Sequence, residues 1–361
     1  MAIYKIFPEK DTTIYSRYPL QNTGLDEIVE LQNNYEVGVS HNSRILTQFS
    51  STEINNIVDT IISGSVTDIT GSLLTSSKEF TTDLKYYLAE AEGINMDTMI
   101  EVYPVSSSWD IGTGKFTHEP IRTNGCSWVK RTTNTEWNNE GGDYIISNIF
   151  SQSLSYNDSK DLKINVTPLV KEFYSGNLNN YGFLVKYSDG DELQIDRNKS
   201  FILKYFSVDT NTIYPPQLEF KWRDYIFNTG SSSGTIIDTP NLLATLDNNG
   251  SNFRKDSIHK FYINCKPKFP TRVFQTSSLY NTNYYLPTSS FYAIKDLHTN
   301  EFVIDFDTTY TQISADERGN YFKLYMNGLQ PERYYQILIK TEIEGNILIL
   351  DDNYYFKVIN G

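Results

Sequence analysis

One stretch, residues 161–222, leaves the chain few folds to choose from. Leu162, Ile164 and Val166 alternate with polar residues, the period of a half-buried strand. Thr167-Pro168 follows, an N-cap residue and then proline at the first helical position. Leu169, Val170 and Phe173 fall on one face of a short helix, and Gly176 stands at its stop. The chain then runs through Tyr181–Tyr187, with Phe183, Val185 and Tyr187 on one side, and through the apolar run Phe201–Phe206. After Pro215-Pro216 it alternates again, with Leu218, Phe220 and Trp222 inward. Strand, short helix, strand, strand, strand leaves no room for a parallel crossover, so the stretch is predicted to close an antiparallel sandwich.

The rest of the chain reads the same way. With 361 residues, two domains are expected. Its 27 tyrosines and 20 phenylalanines, set among Thr, Ile, Ser and Asn, favour strands joined by polar turns, and the class is all-β. Short strands are predicted at Ile3–Phe7, Asp11–Ser16, Glu27–Leu31, Arg44–Phe49, Asp83–Glu90 and Thr98–Val105, with a turn at Gln21-Asn-Thr-Gly24. Between Ser50 and Phe80, Ile57, Ile61 and Ile62 offer a weak helical face. Gly64 and the Ser/Thr density favour a mobile loop instead. A polar, glycine-rich excursion from Ser106 to Gly142 carries Trp109, Trp128 and Trp137.

These residues carry a resemblance. Asn165-Val-Thr-Pro-Leu-Val170, then Gly176, then Asn180-Tyr-Gly-Phe-Leu-Val185 resembles the signature of the DNRLRE-type jelly-roll domain of large surface proteins and phage virion proteins. The likeness extends backward through the tryptophans ahead of Gly141-Gly-Asp143, the Arg44–Phe49 strand, the Asn-x-Gly turn and the aspartate-containing opening, and covers roughly residues 1–224. Ser50 stands where the family usually has Asp.

Residues 225–256, with Thr229-Gly-Ser-Ser-Ser-Gly-Thr235 at their start, are expected to form a linker or extended arm, with a first strand of the next sandwich left open up to about Asp256. Residues 257–361 return to strand patterns at Lys260–Cys265, Arg272–Gln275, Ser290–Lys295, Glu301–Phe306, Tyr321–Met326, Tyr334–Thr341 and Tyr354–Ile359. That spacing suits a smaller immunoglobulin/fibronectin III-like β-sandwich. Gly328-Leu-Gln-Pro-Glu-Arg-Tyr334 resembles the fibronectin III corner, which implies that the Tyr334 hydroxyl bonds back to the preceding turn. The expected architecture is therefore an antiparallel jelly-roll sandwich followed by this second sandwich.

Charge and motif content narrow the function. A formal net charge of −13 argues against nucleic-acid backbones and anionic lipid as partners. Met1–Ile6 lacks the features of a secretory leader and no apolar run is long enough to span a bilayer, so folding in a cytoplasm is expected. Cys126 and Cys265, assigned to different domains, are expected to be free thiols. His41, His118, His259 and His298 show no zinc-ligand spacing, no nucleophile elbow or phosphate loop occurs, and no cofactor or metal is expected. Ser188-Asp-Gly-Asp-Glu192 carries calcium-type oxygen ligands around a glycine but reads better as a solvated hairpin tip. Trp109, Trp128 and Trp137 either stack on sugars or pin their loop to the sandwich, and the second reading is preferred.

The resemblance implies a non-enzymatic structural component of a tailed-phage virion, in the tail, baseplate, neck or fibre base. Its partners would be other virion proteins or further copies of itself. The alternative is a carbohydrate- or receptor-binding module, or a capsid decoration protein, meeting a host-surface glycan. A glycoside hydrolase would need a carboxylate pair that the sequence does not mark.

Overall fold

The computed structural model describes residues 2–63, 79–93, 97–196, 200–230, 234–247, 250–269 and 283–360. It is all-β, built of mainly antiparallel sheets with, among the described residues, three short α-helices. The chain divides into two compact units, one made of residues 5–59 and 81–220, the other of residues 1–4, 60–80 and 221–361.

The first strands are β1 (Ala2–Ile6), β2 (Lys10–Tyr15), β3 (Ile28–Glu36) and β4 (Val39–Gln48), followed by α1 (Ser51–Ser63). Next come β5 (Phe80–Tyr86), β6 (Leu88–Glu92), β7 (Thr98–Pro104), β8 (Lys130–Thr132), β9 (Thr135–Glu136), β10 (Phe150–Leu154) and β11 (Leu162–Asn165). Then α2 (Thr167–Ser175), β12 (Phe183–Tyr187), α3 (Asp189–Glu192), β13 (Phe201–Phe206) and β14 (Gln217–Trp222) complete this part. One sheet runs β1-β14-β5-β11; the other runs β10-β7-β12-β4-β3-β13-β6, with β2 also on β4.

The helix α2 is where the alternation placed it. Leu169, Val170 and Phe173 are buried, and Gly176 takes the left-handed conformation at the C-cap. The cap differs: Val166 stands at the N-cap with no side-chain bond, Thr167 is the first helical residue, and its hydroxyl accepts the amide of Thr82 at 2.7 Å. Helix α1 replaces the loop expected after Ser50. Ile54, Ile57, Val58 and Ile61 are buried, a spacing that makes one continuous helical face, while Ile62 points outward. Residues 64–78 lie outside the described ones.

The second half contains β15 (Thr235–Ile236), β16 (Leu242–Leu246), β17 (Asn252–Arg254), β18 (Ile258–Pro267), β19 (Tyr284–Tyr285) and β20 (Ser290–Asp296). It continues with β21 (Phe302–Ile304), β22 (Ser314–Ala315), β23 (Asn320–Tyr325), β24 (Tyr334–Ile343), β25 (Asn346–Leu350) and β26 (Tyr355–Ile359). A β16-β18-β23-β22 sheet faces a β17-β26-β24-β20-β21 sheet, with β25 also on β24. The pairs β15-β19 and β17-β26 are parallel. Their shared core stacks Tyr292 on Phe322 and Phe322 on Phe261, with ring centroids 4.2 and 5.3 Å apart.

Within 225–256 the strand that the sequence leaves open is present: β16 pairs with β18 from Leu242↔Pro267 to Leu246↔Ile263 and buries Leu242 in the core. One expectation is corrected here. The corner tyrosine is Tyr335, not Tyr334. Tyr335 is buried and donates to the Gln330 carbonyl at 2.9 Å, whereas Tyr334 points outward on the alternate face. The predicted strand Arg272–Gln275 lies outside the described residues.

Candidate functional site

Strand β12 is buried at all five positions, on both faces. Phe183, Val185 and Tyr187 point into the sandwich as their period predicts. Leu184 and Lys186 point to the other face, together with Arg44 and Leu46 of β4 and Glu101 and Tyr103 of β7, as the pairings Leu184↔Leu46, Leu184↔Tyr103 and Lys186↔Glu101 require. The outer face of an antiparallel sandwich sheet is commonly open to water. Here the tryptophan loop and α3 cover it.

The apolar half of the face lies under the loop. Ile14, Leu46, Tyr103, Val105 and Leu184 form one cluster with Trp109, Trp137 and Cys126, and Trp128 packs at its margin. Trp128 is half-buried, but Trp109 is 2% exposed and Trp137 6%, so these two rings are packed inside the loop. Each indole N–H is also used, Trp109 Nε1 on the Tyr181 carbonyl and Trp137 Nε1 on the Ser127 carbonyl, both at 2.9 Å. Lys10 lies over the Trp109 ring, 4.1 Å from its centroid, and donates to the Trp109 carbonyl. Burial lowers the Lys10 pKa. Burial also pushes the Cys126 thiol up to about 12, which makes it an inert apolar filler. Neither Cys126 nor Cys265 forms a disulfide.

The charged half lies under α3 and the end of the loop. The Arg44 guanidinium grips Glu192 in a fork, Nε to Oε1 at 2.9 Å and Nη2 to Oε2 at 2.7 Å, and its Nη1 donates to the Gly141 carbonyl at 2.9 Å. Its plane lies over Trp128 and Tyr144, 5.0 and 5.7 Å from their centroids. Lys186, with no exposed side-chain surface, reaches Asp189 at 2.5 Å and Glu192 at 3.2 Å. Burial works against the charge on Arg44, but the bonds and field of Glu192 outweigh it and hold its pKa above the ordinary value. The bond from Lys186 lowers the Asp189 pKa.

Ser188–Glu192 is therefore not the expected solvated hairpin tip. It is one helical turn, Ser188 caps it by accepting the Asp191 amide, and its acids bond to protein donors. Asp191 accepts from Thr98 Oγ1 at 2.9 Å and from the Met99 amide at 3.2 Å. Among the described residues no group of three or more His, Cys, Asp or Glu side chains is placed to hold a metal ion.

Two further knots hold the loop. Asn22, fully buried, uses its whole amide: Nδ2 donates to Ile111 and Cys126 carbonyls at 2.7 and 2.8 Å, and Oδ1 accepts from Gly114 at 2.7 Å and Gly24 at 3.3 Å. Asp143 accepts from the amides of Asn138 and Asn139 and from Asn138 Nδ2, at 2.9–3.0 Å. Gly141, between them, has φ +86°, and a Cβ there would come within 2.7 Å of Arg44 Nη1. Sequence reasoning named the three tryptophans but neither brought Arg44, Lys186 and Glu192 together nor marked Asn22 as a holder of the loop. The one available signal was a lysine inside the otherwise apolar run Phe183–Tyr187.

Searches of protein-family models and of curated proteins return no match to this chain. Among the described residues, no helix is long and apolar enough to cross a membrane.

Proposed function

We propose that the chain is a non-enzymatic structural component of a tailed-phage virion, placed in the tail, baseplate, neck or fibre base and acting through protein–protein interfaces. The observation that carries this reading is the closure of the Arg44 network on itself. Three guanidinium nitrogens bond to Glu192 and Gly141, and Lys186 is held by Asp189 and Glu192. A catalytic or ligand-binding cluster keeps donors aimed at a place where substrate will sit. This one aims them at Glu192 of α3 and at the loop carbonyl of Gly141 and fixes both segments on the sheet. The motif order described above, from Asn22-x-Gly24 to Asn180–Val185, supplies the virion assignment by resemblance.

The test is mass spectrometry of purified particles from a culture that produces the chain. Recovery at a fixed copy number per particle is expected. Consistent absence from particles, with the chain left in the soluble fraction, would overturn the reading. A glycan array run in parallel tests the carbohydrate-binding alternative.

A further inference from the structure

Among the described residues of the second unit, the most exposed apolar strand is β25. It forms a hairpin with β24 in unbroken register from Ile339↔Leu350 to Ile343↔Asn346. The two-residue turn, Glu344 and Gly345, has φ +50° and +76°, the sign that a tight hairpin of this twist requires. Among the described residues β24 is the strand that pairs with β25, so alternate N–H and C=O groups of β25 face away from the sheet. Natural edge strands are usually blunted by a lysine, a proline or a bulge. Asn346-Ile-Leu-Ile-Leu350 has none of these. Leu348 and Leu350 lean on the core, while Ile347 and Ile349 are 65% and 62% exposed.

The ends of the strand carry a different message. Glu342 and Glu344 precede it and Asp351 and Asp352 follow it, all exposed. Pairing two copies antiparallel about Leu348 would match Ile347 with Ile349 but set Glu344 against Asp352 twice. The chain's net charge of −13 adds to that repulsion. A strand with apolar residues on one face and lysine or arginine at its ends meets the same edge with its bonds, side chains and charges all matched.

We infer that β25 is a β-augmentation site that accepts an extended, basic-ended strand of a partner protein. The inference rests on the assembly reading above, to which it adds where one contact is made and by what chemistry. Ladder hydrogen bonds supply the affinity, Ile347 and Ile349 the apolar contact, and the four carboxylates the selection against acidic strands and against self-pairing.

The probe is a short synthetic peptide of alternating valine and threonine with two lysines at each end, added to the full chain. Fluorescence anisotropy should show binding, and hydrogen exchange should slow at residues 346–350. A glutamate-ended version should bind at least about tenfold more weakly. So should the lysine-ended peptide to an I347S/I349S chain, whose melting temperature should stay near that of the parent because both side chains are exposed. Equal binding of the two peptides, or no slowing of exchange in β25, would overturn the inference. A dimer by sedimentation that I347S/I349S abolishes would overturn it too, by making the occupant a second copy. Mass spectrometry of particles bears on the assembly reading alone. A chain present in particles that binds no peptide sinks this inference and leaves that reading standing; a chain absent from particles that binds peptide at β25 does the reverse.

Discussion

Arg44 and Glu192, 148 residues apart in the chain, meet in a two-bonded fork beneath the tryptophan loop. The pair is nearly dry, with 12% and 5% of the two side chains exposed. Removing one partner of such a pair strands the other charge, and the cost exceeds what the pair itself contributes.

Glu192→Gln is therefore expected to destabilise the fold by about 3–5 kcal/mol, since it leaves Arg44 without its counter-charge and weakens the hold on Lys186. Arg44→Ala should cost a similar amount, and the double variant R44A/E192Q less than the sum of the two. Urea unfolding of the four proteins measures this. Strict additivity would mean that the pair is not coupled.

Tyr335→Phe should cost about 1 kcal/mol or more, because it leaves the Gln330 carbonyl without its 2.9 Å donor. Tyr334→Phe, one residue earlier, should change stability by less than about 0.5 kcal/mol, since its side chain stands on the solvent face. Thermal melts of the two variants compare them directly. The reverse order would return the corner to Tyr334.

Asp11 has its pKa raised to about 7 by burial, against the bonds it accepts from Ser207 Oγ at 2.8 Å and the Val208 amide at 2.9 Å. The sign follows from the protons. Between the ordinary value of 3.8 and about 7 the folded chain holds a proton there that the unfolded chain has lost. This contribution to stability is complete below the unfolded pKa and disappears as pH rises through about 7. Asp26, raised to about 6 chiefly by burial, acts in the same direction. Carbon-13 NMR of the Asp11 carboxyl should show a midpoint near neutrality. A midpoint in the ordinary aspartate range would contradict the buried, proton-holding site.

Phe173→Ala in α2 should behave as a core truncation costing about 3–5 kcal/mol, while Lys171→Ala on the exposed side should cost less than about 0.5 kcal/mol. The Phe173 ring meets Phe183 edge to face, with centroids 5.8 Å apart, so the helix is held by that contact more than by its own nine residues. Equal melting temperatures for the parent and Phe173→Ala would show that α2 is not needed for the fold.

What the sequence by itself determined was whatever depends on near neighbours in the chain. The alternation in Leu162–Val166 and Gln217–Trp222 specified strands, Pro168 and Gly176 bounded α2, and the aromatic and β-branched content specified an all-β class. Side-chain period follows from backbone geometry, so it is legible without knowing what the strand will meet. Where two patterns competed, local reading lost. The face of Ile54, Ile57, Val58 and Ile61 was hidden among Ser, Thr and Asn, and the burial that makes α1 a helix comes from elsewhere in the fold. Only the tertiary structure decided that the outer face of the β4-β12-β7 sheet is covered. Nothing near Lys186 in sequence says whether water or Glu192 will sit beside it. Arg44, Glu192 and Gly141 are each ordinary in their own surroundings and acquire a role only when three separate segments close on one another. The corner tyrosine shows the same limit at its smallest scale, since a shift of one residue along β24 exchanges the core for solvent.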